Sequence, residues 1–128
     1  MQRYLHHPLV AAVLAMFVYG AWAAAVNADH GFTVALRSGL GQGVYAFVAT
    51  FGVGFLAIKT YQHFGRGVLG FFLGFVFSFA LMLAIPLSVH TILATPDKWA
   101  AMSLGLVWGT LYLLWLLWME SRRGETVL

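Results

Sequence analysis

Apolar positions fill this chain in four long blocks that contain no Asp, Glu, Lys or Arg: Tyr4 to Ala28, Ser38 to Ile58, Gly67 to Pro96 and Trp99 to Met119. Each block has the length needed to cross a hydrocarbon core of about 30 Å, which takes roughly 20 helical residues. The pattern predicts helices over Pro8 to Val26, Leu40 to Tyr61, Val68 to Ile92 and Trp99 to Met119. The first connection, Asn27 to Gly39, reads as long; Gln62 to Gly67 and Leu93 to Lys98 read as tight. Short loops make consecutive helices antiparallel neighbours. The expected fold is therefore an all-α integral membrane protein, with four transmembrane helices in an antiparallel bundle forming one domain over residues 1–128.

Composition narrows this further. Charged residues are 9% of the chain, against about 25% in ordinary soluble domains, which leaves no room for a soluble domain beside the spans. A formal charge of +3 is too small and too scattered for nucleic acid, which would need a basic face. With no Cys there is no disulfide, no thiolate nucleophile and no Cys-ligated metal. Arg3, the apolar run from Pro8 and Ala21-Trp22-Ala23 imitate a secretory signal with its small-residue cleavage site. The run extends to Val26, longer than the usual 7–15 residues of such a signal, so it reads as a retained first helix.

The remaining charges orient the spans. Arg3, Lys59, Arg66, Arg122 and Arg123 fall on the side of the termini, and only Arg37 and Lys98 on the other. Lys and Arg accumulate on the cytoplasmic side, so both termini are expected in the cytoplasm of a bacterial-type inner membrane. Trp99 suits the outer interface, and Tyr4, Tyr61, Trp115 and Trp118 the inner one. A shift of 66 residues lays Ala35, Gly39, Leu40 and Gly43 on Ala101, Gly105, Leu106 and Gly109. That register suggests a parallel two-helix repeat of the kind some transporters contain.

Small residues at four-residue spacing allow close helix approach in lipid. Gly70, Gly74 and Ser78 on helix three, with Gly105 and Gly109 on helix four, are the expected packing positions. Pro86 removes the hydrogen bond to the Met82 carbonyl, which a neighbour must then satisfy.

Candidate chemistry gathers at the outer boundary. Arg37 at the start of helix two, Gln42 within it, and Gly39 and Gly43 suit an anionic phosphate headgroup, with His90 nearby at the end of helix three. The physical basis is the unpaired N–H groups and positive dipole end of a helix N-terminus. The bland alternative is an arginine snorkelling to the interface or paired with Asp29, and a glutamine bonded across helices. His30 and His90 also stand at similar depth, as two axial haem ligands would. That haem anchor ranks last, because both lie at the boundary and no attachment motif exists. His6, His7 and His63 read as interfacial histidines. No carboxylate pair, catalytic triad or metal cluster is present, so no enzyme activity, metal or cofactor is expected.

In architecture the chain resembles compact four-helix membrane families. It lacks the acidic residue that small multidrug exporters carry in helix one. In length, helix count and scarcity of buried charge it is similar to GtrA-like proteins, a likeness that implies lipid-linked cargo. The expected function is binding and translocation of an amphiphilic or lipid-linked substrate with a phosphate headgroup, by a homo-oligomer among membrane lipids. The alternative is a non-catalytic accessory subunit whose glycine faces dock a larger membrane enzyme or transporter.

Overall fold

A computed structural model describes the backbone of residues 8–126 and the side chains of residues 10–123. Arg3, Tyr4, His6 and His7 lie outside the described residues. The elements are α1 (Pro8–Val26), one 3₁₀ turn (Ala28–His30), α2 (Phe32–His63), α3 (Val68–Ile92) and α4 (Lys98–Thr126), with no strand among the described residues. Helices α2, α3 and α4 are each long and apolar enough to cross a membrane, while α1 is shorter, apolar over Val10–Val26.

Helices α1 and α3 begin and end where the apolar blocks predict. Helix α2 does not. It starts at Phe32, eight residues before the expected Leu40, so the long first connection is replaced by the 3₁₀ turn and Gly31. The expectation equated the end of the charge-free run with the end of the helix. Phe32 to Leu36 contains no helix breaker, and Gly31, at φ 103°, reverses the chain directly before it. Helix α4 likewise continues past Met119 to Thr126, through residues that are polar but compatible with a helix.

Close glycine contacts show that each helix runs antiparallel to the one before it. A β-carbon built on Gly39 would lie 2.9 Å from the Gly20 carbonyl, and one on Gly43 would lie 3.0 Å from the Met16 carbonyl. Built on Gly70 and Gly74, it would meet the carbonyls of Tyr61 and Ala57 at 2.6 and 2.8 Å. Gly109 faces the Met82 sulfur. The glycines that the 66-residue shift superposes thus have different neighbours. Gly39 and Gly43 abut backbone, whereas Gly105 abuts the Gln42 amide and Gly109 a methionine side chain.

Helices α2 and α3 end in the same device. Gly65 N–H and Arg66 N–H donate to the carbonyls of Gln62 and Tyr61, and Ala94 N–H and Thr95 N–H donate to those of Thr91 and His90. These paired bonds, with a left-handed residue after the helix, form a Schellman motif. Gly65 (φ 91°) fills the left-handed position in one and Ala94 (φ 54°) in the other.

Large apolar side chains cover much of the surface, and several polar ones are buried beside an apolar core of Ala57, Tyr61, Met82, Leu113 and Leu117. Leu14, Phe17, Phe55, Leu69, Phe72 and Ile85 are exposed, while Asn27, Ser38, Gln42, Ser78, His90 and Glu120 are buried. Among the described residues Ser78 Oγ has no hydrogen-bond partner. The carbonyl freed by Pro86 does have one: the Tyr45 hydroxyl donates to Met82 O at 2.9 Å.

Candidate functional site

One end of the molecule holds a connected set of buried polar groups, the His90 end. The Schellman turn after α3 folds Thr95 back over the last helical turn, setting its Oγ1 2.9 Å from His90 Nδ1. His90 Nε2 lies 2.7 Å from Gln42 Oε1 on α2. An amide oxygen only accepts, so Nε2 carries the proton; Nδ1 then accepts from the Thr95 hydroxyl. Ser38 Oγ, one turn before Gln42, donates to the Val34 carbonyl at 2.8 Å and lies 3.4 Å from Thr95 Oγ1.

A second set of bonds fastens α1 to the start of α4. The Asn27 amide donates to the Ala23 carbonyl at 2.9 Å, and its Oδ1 accepts from Asp97 N–H at 3.0 Å. His30 Nε2 meets Asp97 Oδ2 at 2.8 Å in the open, and Trp22 Nε1 donates to the Ala100 carbonyl at 2.8 Å.

These contacts redistribute the residues singled out from sequence. Gln42 and His90 meet, but within the packed interior. Gly39 and Gly43 lie in the α1–α2 contact. Because α2 starts at Phe32, the N–H groups of residues 39 to 43 lie inside the helix, bonded one turn back, and offer an anion nothing. The pairing of Arg37 with Asp29 is not formed; Arg37 has no partner among the described residues. Both ring nitrogens of His90 are engaged, which leaves it no lone pair for an iron.

Arg37 belongs to a different feature. An apolar groove of about 900 Å³ runs between α2 and α3, from Arg37 past Gly41, Val48 and Gly52 to Leu56, with Leu81 and Ile85 on the facing wall. From Arg37 to Leu56 it extends about 28 Å at 1.5 Å per residue. Val48, Leu81 and Ile85 expose much of their surface in it. Lys59 lies on the same side of α2, about six turns from Arg37, its Nζ 5.5 Å from the Phe55 ring centre.

The opposite end holds a cluster that the sequence reading missed. Glu120, buried near the end of α4, accepts from Gln62 Nε2 at 3.0 Å and faces Arg66 at 3.4 Å and Arg123 at 3.9 Å. In sequence it is simply the first charge after an apolar run. Its spacing from Gln62 and Arg66 becomes meaningful only once α4 is known to continue.

No protein family, curated protein or solved structure matches the chain. Among the described residues no group of three or more His, Cys, Asp or Glu is arranged to hold a metal ion. What fold and site define is a class: an all-helical protein of four helices, three of them long and apolar enough to span a membrane, with a few polar residues buried among them.

Proposed function

We propose that this is a small membrane protein that binds an amphiphile bearing a phosphate headgroup and helps move it between leaflets. Arg37 holds the headgroup and the α2–α3 groove holds the chains. The observation that carries this reading is a guanidinium, unpartnered among the described residues, at the mouth of a long apolar groove. Arg binds phosphate through two parallel hydrogen bonds. The groove length matches the roughly 30 Å hydrocarbon thickness, and Lys59 supplies a second cation toward its far end. The apolar exterior and buried polar groups are what lipid as solvent favours. The charge asymmetry directs both termini to the cytoplasm of an inner membrane, with Arg37 at the outer face.

The groove is complete within one chain, so the reading does not require an oligomer. The accessory-subunit alternative has less support, because Gly70, Gly74 and Gly109 are already covered by neighbours in the same chain. A phosphate analogue separates the two. In native mass spectrometry from micelles of phosphatidic acid and phosphatidylcholine, the wild type should retain phosphatidic acid preferentially. Arg37→Ala should reduce that preference about tenfold, as loss of a charge-assisted contact implies. Equal retention by wild type and Arg37→Ala would refute the reading.

A further inference from the structure

A second cavity, of about 380 Å³ and partly open, is lined by residues of all four helices. It falls within the range of about 300–1,000 Å³ typical of small-molecule sites. Its walls are mostly apolar and aromatic, with Ala15 and Tyr19 from α1, Met82 from α3, and Gly105, Trp108 and Tyr112 from α4. Two polar groups in it are already spent: the Tyr45 hydroxyl on the Met82 carbonyl, and the Thr50 hydroxyl on the Ala46 carbonyl.

Gln42 is different. Only 1% of it is exposed, and its Oε1 is taken by His90. Its Nε2 has no acceptor among the described residues, although Gln42 lines this cavity. Gly105 leaves the approach to that nitrogen open, since a β-carbon there would stand 3.4 Å from it. In the structure the amide sets its Oε1 toward His90 and its Nε2 toward Gly105, on the cavity side. The Thr95–His90–Gln42 chain thus holds an amide N–H₂ donor at a mostly apolar cavity whose lining also includes Tyr19 and Tyr112. A donor that opens onto a mostly apolar cavity is available to an acceptor on a ligand seated there.

We propose that this cavity is a binding site for a neutral, flat, largely apolar molecule with a carbonyl acceptor, of the size of a substituted quinone ring, held by Gln42 Nε2 and packed against Tyr19, Trp108 and Tyr112. A charged ligand does not suit it, since no counter-charge lines the chamber. Tyr45, Ala49 and Val53 form a wall common to this cavity and the Arg37 groove, whereas Gln42 and the α1 and α4 residues line the cavity alone.

The test compares duroquinone with durene, which has the same ring and methyl groups but no carbonyl. Uptake by protein-loaded lipid nanodiscs is measured against empty ones. The wild type should take up duroquinone saturably and prefer it to durene about fivefold to tenfold, the worth of one buried hydrogen bond. Gln42→Leu should erase the preference while leaving saturable uptake of both compounds. Ala15→Phe, which fills the chamber and leaves the His90–Gln42 bond untouched, should abolish uptake of both. The proposal is overturned by non-saturable uptake in the wild type, by equal uptake of the two compounds, or by a preference that survives either substitution.

Discussion

The two ends of the molecule each place a polar cluster where a helix hairpin turns, and they hold it by different physics. At the His90 end the groups are neutral and sealed: Thr95, His90 and Gln42 are all buried, and each bond runs from one donor to one acceptor. At the Glu120 end the groups are charged and half open. The Glu120 side chain is 9% exposed, whereas those of Arg66 and Arg123 are 49% and 76% exposed. A neutral network in a low-dielectric interior is costly to interrupt, because its members have nothing else to bond. A carboxylate facing water-exposed cations is loosely held, and either partner can turn to solvent.

The largest effect that separates the ends is predicted for His90→Leu. It strands the Gln42 carbonyl and the Thr95 hydroxyl, at about 1–3 kcal/mol each, so unfolding in detergent should become easier by about 2–6 kcal/mol. A change below about 0.5 kcal/mol would mean that water replaces the imidazole and the end is not sealed.

A middle-sized effect concerns the turns themselves. Ala94 holds a left-handed conformation that glycine adopts without penalty, while the matching position at the other end is already Gly65. Ala94→Gly should therefore stabilise by about 1 kcal/mol, and Gly65→Ala should destabilise by a similar amount. Thermal unfolding of the two variants checks the opposite signs.

The smallest effect is predicted for Glu120→Gln. It retains an acceptor for Gln62 and leaves two cations already in reach of water, so the loss should stay under about 1 kcal/mol and shrink further in high salt. A loss of 3 kcal/mol or more would make Glu120 a sealed ion pair and dissolve the contrast between the ends.

The same contrast governs how much the sequence reveals. Ends of α1 and α3 are legible, because apolar blocks stop there at turns. The start of α2 is not, because Phe32 to Arg37 continues a helix that charge patterning treats as loop. The relief of the Pro86 gap is half legible: the freed carbonyl follows from the proline, but its donor, Tyr45, lies 37 positions away. Arg37 and Gln42 stand out in sequence as polar residues near one boundary. That they face different sides of α2, one into an open apolar groove and one into the interior, follows from where α3 and α4 pack. Glu120 is silent until Gln62 and Arg66 are brought to it across the fold.

The account's central claim, a headgroup at Arg37 with its chains in the α2–α3 groove, is tested most directly by photo-crosslinking with phosphatidic acid carrying a diazirine on its acyl chain. Adducts mapped by peptide mass spectrometry should concentrate on Val48, Gly52, Leu81 and Ile85, and should fall several-fold in Arg37→Ala. Adducts spread evenly over the exposed apolar surface, including Phe17 on α1 and Leu111 on α4, would contradict it.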